Sequence, residues 1–567
     1  MENRDRTAAS IPEAIIAAAS VRGKHGALYA HLQGRWHETS YEELSRQIVT
    51  LASGIIDLGL RAGDRVGVLG SNSPQWGIAY LAILQAGGVV VPLDRLLKAE
   101  EWIDILARSE AKMIFCAATE SVNLKPSMDQ VPGISHFIDL DGDGSNGDQS
   151  FAAMVAASNA SGASFPKLDR DTLAAIIFTS GTTGKSKGVM LSHGNILSNA
   201  EWMLEAVEID SGRDRFLSVL PISHCYECTG GFLAPLLAGA RIFYARGLIP
   251  TEIVEDLRTS KATFLLAVPL LLEKIVAGIG RGLGKAGFAG KVIKGLWSLS
   301  KTGRPVWRHN FGRLLLGGVR AKAGLSTVRY FVSGGAPLPP RVSYAMEALG
   351  IRVLQGYGLT ETSPLAAITP IRGGDPGSVG RSGGGVEIRI DEPDASGVGE
   401  IWIRGPNVMQ GYWRDPDATS KVMRENWFLT GDLGILGSGG DLRITGRSKN
   451  LIVSPGGKNI SPEEIEMAAG MSPYIAEILV CGATVKGGGG EDVFAYIHPD
   501  YEYLEQQGHS EISDADLIKR LRSELDSATA NLASYKRIVR FEVSREPFAK
   551  TSTKKIKRHV HVGTPKT

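Results

Sequence analysis

The stretch FTSGTTGKSKGVM, residues 178–190, follows the apolar run LAAII at 173–177. Its end, Gly184-Lys185-Ser186, matches the close of a Walker-type phosphate loop, but Thr179 stands where that pattern needs its first glycine. What remains is a different phosphate grip. Thr179, Ser180, Thr182, Thr183 and Ser186 offer hydroxyls, Gly181 and Gly184 free the backbone to turn N–H groups inward, and Lys185 and Lys187 bring charge. A flexible Ser/Gly loop is the bland alternative. The buried strand ahead of the run and its two lysines favour an anion site.

Outward from this loop, strand and helix patterns alternate. YEELSRQIVTLASGIIDLG carries apolar residues at helical spacing and stops at Gly59. DRVGVLG and VVVPLD are short β-branched runs, WGIAYLAILQAGG is a helix closed by paired glycines, and KAEEWIDILARS opens another helix. Such alternation predicts parallel sheets covered on both faces. After about residue 376 short strands and turns take over, and a compact α+β tail follows DLRITGRSKNLIV. The expected fold is α/β. A large N-terminal domain of doubly wound sheets, residues 1–447, includes a small β-barrel-like subdomain at about 376–446. A small mobile α+β domain, residues 448–567, completes it.

Composition excludes several classes. The chain has 567 residues, 43% of them hydrophobic, and a net charge of +2, so nothing in its overall charge draws it to nucleic acid. Four cysteines form no disulfide framework. Cys225 and Cys228 have C-x-x-C spacing, but zinc needs a second pair and none is near. AIIAAAS lacks a basic leader, and the apolar run 262–280 is broken by Pro269, Glu273 and Lys274. A cytoplasmic protein is expected, with or without contact at the inner face of the membrane.

Further motifs stand in a fixed order: RYFVSGGAPLP (329–339), LQGYGLTETSP (354–364), FLTGDLG (428–434), ITGRSKNLIVSPGGKNISPEEIE (444–466) and PFAKTSTKKIKR (547–558). Together with the opening loop they resemble the adenylate-forming superfamily of acyl-CoA synthetases, peptide-synthetase adenylation domains and luciferases, over residues 10 to 560. The resemblance implies ATP, Mg²⁺ and coenzyme A as cofactors. The 179–187 loop would hold the β- and γ-phosphates, with Thr182 and Glu361 toward Mg²⁺. Gly335, Ala336 and Pro337, with the Gln355-Gly356-Tyr357-Gly358 run, would form the adenine site, Tyr357 stacking on the base. Thr360 would meet the α-phosphate, Asp432 the ribose hydroxyls, and Arg447 would assist there. Lys449 falls at the superfamily's hinge, and Gly456 and Gly457 would admit the pantetheine arm. Lys555 aligns with the catalytic lysine that follows a glycine in the superfamily pattern. Lys554 occupies the glycine position here, where a positive φ would cost more.

LPISHCYECTGG (220–231) resembles the Pro-x-x-His-x-x-Glu segment of long-chain acyl-CoA synthetases through Pro221, His224 and Glu227. This places His224 near the acyl carboxylate or the phosphates. From Ile275 to Ala345 there is no Asp or Glu, while Lys and Arg alternate with Trp297, Phe311 and Leu315. The basic insert, 276–323, is expected to meet anionic lipid headgroups or else to form a soluble basic face. The resemblance predicts activation of a medium- to long-chain fatty acid to its CoA thioester. An aromatic or alicyclic acid and a carrier-protein acceptor stay open, as does a non-catalytic binding role. A homodimer is expected from resemblance alone.

Overall fold

Helix Tyr41–Asp57 shows how neighbouring residues set an element. Ser40 accepts a hydrogen bond from the Glu43 backbone N–H, closing the helix N-terminus. Leu44, Ile48, Leu51, Ala52 and Ile55 form its buried stripe, and Gly59 takes a φ of 92° just past its end. The structure is a computed structural model that describes residues 8–142, 149–157, 164–179, 186–285, 290–293, 295, 297, 305–484, 490–509, 511–550 and 556–561.

The apolar run LAAII becomes strand Leu173–Thr179. It sits third in an eight-stranded sheet ordered Gly411–Tyr412, Lys187–Ser192, Leu173–Thr179, Val89–Leu93, Arg65–Leu69, Ala111–Cys116, His136–Asp139, Gln149–Ser150. From Leu173–Thr179 onward the neighbours are parallel. Lys187–Ser192 returns antiparallel, so Thr179 pairs with Lys187 across the neck of the loop.

A second eight-stranded sheet runs Ala367–Ile368, Arg352–Tyr357, Tyr330–Ser333, Phe264–Ala267, Arg215–Ser218, Arg241–Tyr244, Gly26–Leu32, Arg35–Ser40. It is parallel except at its two edges. Helix Pro74–Gln85 is buried on nearly every side, from Trp76 to Leu84. A helix that is apolar all round needs apolar neighbours all round, and this one shares its core with residues of both sheets. The sequence therefore predicted the doubly wound architecture correctly.

An antiparallel five-stranded sheet, built on Glu387–Asp391, Gly399–Arg404, Trp427–Leu436, Met423–Arg424 and Leu442–Arg447, makes a half-barrel. Beyond it, strands Ile475–Thr484, Glu491–Pro499 and Arg540–Val543 form a three-stranded sheet. Helices Pro462–Ala469 and Asp514–Ala528 pack on it around a core of their own.

The basic insert differs from expectation at one residue. Trp297 is 3% exposed, packed among the buried residues of the second sheet's outer core, and its indole N–H donates to the Ala345 carbonyl at 3.0 Å. It anchors the insert inward and has no lipid-facing surface. Leu314 and Leu315, by contrast, are exposed. No helix among the described residues is long and apolar enough to cross a membrane. Phe311's side chain lies outside the described set.

Candidate active site

Strand Arg352–Tyr357 ends in a tight bend that carries Gly358, Thr360 and Glu361. A Cβ on Gly358 would stand 1.7 Å from the Pro364 carbonyl oxygen, so only glycine fits. Two buried asparagines hold the bend. Asn199 donates to the Leu365 carbonyl at 2.7 Å and accepts from the Leu365 N–H at 3.1 Å. Asn407 donates to the Thr362 and Leu365 carbonyls at 3.0 and 2.9 Å. Hydrogen bonds from buried amides in a dry surrounding fix a loop firmly. Gln355 belongs to this frame: its amide donates to the Pro376 carbonyl at 2.9 Å.

On one side of the bend lies a carboxylate held by two partners. Asp432 and Arg447 face each other across paired strands, and Arg447 Nε stands 2.6 Å from Asp432 Oδ1. The Tyr357 hydroxyl donates to Asp432 Oδ2 at 2.8 Å. Burial, then the Asp432 charge, pushes the Tyr357 phenol well above its usual range, so it stays a donor. Burial works against the Arg447 charge, but Asp432 outweighs it and Arg447 is held above its ordinary value. Gly335, Ala336 and Pro337 lie exposed just past strand Tyr330–Ser333. Gly335 has a φ of 83°. Under the neighbouring Gly334 sits the Tyr226 ring, 3.1 Å from where a Cβ would be.

On the other side, Tyr412 donates to Glu361 Oε1 at 2.9 Å, and the Lys187 ammonium lies 4.7 Å from the Tyr412 ring centre. Pairing of Gly411–Tyr412 with strand Lys187–Ser192 brings these three together. The start of strand Lys187–Ser192 therefore meets the Glu361 bend. At the other neck position, Arg108 donates to Ser186 Oγ at 3.1 Å and to the Ser186 carbonyl at 2.7 Å. Ser180, Gly181, Thr182, Thr183, Gly184 and Lys185 lie outside the described residues, as does Lys555.

No cluster of three or more metal-ligating side chains occurs among the described residues. One hard carboxylate near Lys187 still suits Mg²⁺, which takes one or two protein oxygens and completes its shell with substrate phosphates and water.

His224 stands with Nε2 3.2 Å from Asp94 Oδ2. Asp94 closes strand Val89–Leu93, and its Oδ1 accepts from the Leu96 N–H at 3.0 Å. Cys225 and Cys228 follow, both free and buried. Burial pushes the Cys225 thiol up to about 12 and Cys228 further still. They are neutral packing groups.

The family profile described as AMP-binding enzyme matches residues 16–413. The chain belongs to the AMP-binding enzyme family. Among its relatives, the long-chain-fatty-acid–CoA ligase FadD15 of Mycobacterium bovis is 29% identical, over 93% of this chain and 91% of the relative. The indoleacetate–CoA ligase of Aromatoleum aromaticum is 30% identical, over 78% of this chain and 80% of the relative. ATP-bound MatB from Rhodopseudomonas palustris superposes with a TM-score of 0.76 at 26% identity, covering 97% and 98% of the two chains.

In this AMP-binding enzyme several C-terminal residues named by sequence can be located. The turn holding Gly456 and Gly457 is exposed, with Gly457 at a φ of 71°. Lys449 lies in the short turn Ser448–Asn450 after Arg447. Lys550 is paired with Glu477 at 2.5 Å. Arg341 donates to the Met471 carbonyl at 3.1 Å, and Arg281 stands 3.6 Å from Glu502. Both contacts tie helices before the half-barrel to the C-terminal core.

Sequence reasoning missed Asp94, Arg108, Asn199, Asn407 and Tyr412. Asn407 and Tyr412 sit in the Gly-rich run GPNVMQGYW, which by its pattern signals only a turn. Nothing local marks Asp94, Arg108 or Asn199.

Proposed function

We propose that this protein is an ATP- and Mg²⁺-dependent ligase that converts a medium- to long-chain fatty acid to its CoA thioester through an acyl-adenylate, releasing AMP and pyrophosphate. The observation that carries this reading is the meeting of two assemblies on one bend. Tyr357, Asp432 and Arg447 lie on one side, and Glu361, Tyr412 and Lys187 on the other.

In this reading a nucleoside lies between Asp432 and the Gly335–Pro337 wall, with its ribose hydroxyls taken by the Asp432 oxygens. Its phosphates run past Thr360 toward Lys187 and the 179–185 loop. Glu361 and Thr182 would hold Mg²⁺, which when bound would neutralise phosphate charge. The acid enters past His224, whose imidazole Asp94 orients, and its carboxylate oxygen attacks the α-phosphorus as pyrophosphate leaves. Two anions react only where positive charge is prepositioned, and Lys187, Arg447 and Lys555 supply it. Residues 1–447 would form the body and 448–567 a domain that swings, presenting first Lys555 and then the Gly456-Gly457 turn. Such a swing separates the half-reactions.

The long-chain assignment is supported by Pro221, His224 and Glu227 and by the FadD15 relative. The indoleacetate relative supports a ring acid as the second reading. The basic insert is proposed to rest on anionic headgroups through the exposed Leu314 and Leu315. Acid-dependent ATP–pyrophosphate exchange, followed by thioester formation across acetate to octadecanoate and benzoate, tests the assignment. No exchange with any acid would end it. Thioester formed only with a carrier protein would replace CoA as acceptor.

A further inference from the structure

Between Ile275 and Ala345 the chain carries no Asp or Glu, and the fold gathers part of that positive charge in one place. Helix Pro305–Leu315 lies against the turn that joins helix Pro340–Glu347 to strand Arg352–Tyr357. A Cβ on Gly350, in that turn, would stand 2.6 Å from the Arg313 backbone nitrogen. His309 and Arg313, four residues apart, share one flank of the helix. Arg352 follows Gly350 by two residues and opens its strand beside that flank.

The charge gathered there is unpaired. Arg329, at the start of the neighbouring strand, donates to both Asp214 oxygens at 2.7 and 2.9 Å. Arg313 and Arg352 have no such carboxylate among the described residues. The helices Pro305–Leu315, Gly317–Lys322 and Pro340–Glu347 and strand Arg352–Tyr357 carry one acid between them, Glu347. Arg320 is nearly buried and donates to the Ser326 carbonyl at 2.8 Å, so it adds field rather than a contact. His309 Nδ1 is buried with no hydrogen-bond partner. Burial, then the charges of Arg352, Arg313 and Arg320, lower its imidazole to about 4, so it is neutral at pH 7. Two unpaired guanidiniums beside a neutral imidazole repel each other unless an anion lies among them.

This cluster is not the reaction centre. Arg352 begins the strand that Tyr357 ends, and five steps of about 3.3 Å put them about 16 Å apart. Gly312 turns its side of the helix inward, while Leu314 and Leu315 are 82% and 52% exposed. A soluble phosphate has no use for two exposed leucines. A membrane lipid offers phosphate and hydrocarbon side by side.

We propose that Arg313 and Arg352, with His309 beside them, hold the phosphate of an anionic membrane lipid while Leu314 and Leu315 enter the acyl boundary. This rests on the membrane contact proposed above and fixes where the headgroup is held.

The test floats the full-length chain with vesicles of phosphatidylcholine alone and of an equal mixture with phosphatidylglycerol. Wild type is compared with Arg313→Gln, Arg352→Gln, Leu314→Gln and Lys322→Gln, an exposed charge of the same insert, each checked by thermal melting. A basic residue that is only near an anionic surface contributes about fivefold. A donor to the phosphate contributes more, so Arg313→Gln and Arg352→Gln should each lose about tenfold or more on mixed vesicles, and Lys322→Gln about fivefold at most. Leu314→Gln should weaken binding to both vesicle types alike, by about tenfold. Equal losses in the Arg313, Arg352 and Lys322 variants would leave a diffuse basic face and overturn the site while sparing membrane contact. No preference of the wild type for mixed vesicles would overturn both. Calorimetric binding of inorganic phosphate that the arginine variants abolish, without any vesicle preference, would give the site to a soluble ligand instead. Arg313 is exposed and Arg352 half-buried, so a folding failure of Arg352→Gln leaves the question answerable through Arg313→Gln. Vesicle binding is read without turnover, so failure of the ligase reading is a separate outcome.

Discussion

Asp432 accepts the Tyr357 hydroxyl on one oxygen at 2.8 Å and faces Arg447 Nε with the other at 2.6 Å. Tyr357 ends a strand of the second parallel sheet, while Asp432 and Arg447 belong to the half-barrel. One carboxylate thus joins two layers at the place where a ribose is proposed to bind.

Asp432→Ala should raise the KM for ATP in pyrophosphate exchange by about ten- to a hundredfold, because charged hydrogen bonds are worth about 1.5–3 kcal/mol each. Tyr357→Phe keeps the ring and removes one hydroxyl, so its effect should stay below about tenfold. Equal losses in both variants would mean that Asp432 serves the frame and leaves the nucleotide alone.

Glu361→Gln should lower kcat by about a hundredfold or more and shift the Mg²⁺ requirement upward. Tyr412→Phe, which removes only the partner of that carboxylate, should do far less. A magnesium titration of the exchange rate reads both.

Arg108 grips Ser186 twice at the neck of the loop proposed to hold phosphate, and its side chain is 38% exposed. Exposure discounts the interaction to about 1 kcal/mol, so Arg108→Ala should raise the KM for ATP about fivefold and leave that for the acid unchanged. Arg108→Lys should not rescue it, because an ammonium lacks the two-pronged donor geometry. An unchanged KM for ATP would reduce the contact to surface packing.

Lys555→Ala should abolish adenylate formation and spare thioester formation from supplied acyl-adenylate. Rapid-quench measurement of each half-reaction separates the two. Parallel loss of both would remove Lys555 from its proposed role.

Stability should respond to pH through two buried groups of opposite sign. Glu227 ionises near 4.5 when exposed and near 8 when folded. Between those values the folded chain keeps a proton that the unfolded chain has lost, so wild-type stability falls as pH rises through that window. The Tm of Glu227→Gln relative to wild type should therefore climb from pH 5 to 8 and level off above. His193 is lowered from 6.5 to about 4 by burial. Its contribution is present above 6.5 and lost as pH falls toward 4, so His193→Gln should flatten the acid side of the Tm profile. Parallel pH profiles for wild type and variants would contradict both assignments.

The sequence by itself determined the elements and their order. Ser40 as a helix cap, the apolar stripe of Tyr41–Asp57 and the run ahead of Thr179 act through near neighbours, and near neighbours are readable from a string. The resemblance of the motif set likewise implied that Tyr357, Glu361 and Asp432 share one site. Tertiary structure alone decided which side chains hold them there. Asp94 reaches His224, Tyr412 reaches Glu361, and Asn199 and Asn407 clasp the same bend. These partners are far apart along the chain and meet through strand register and helix packing, which no local pattern records. The same holds for Glu227. Its spacing from His224 was legible, but its burial depends on three elements closing over it, and desolvation is a property of the packed core.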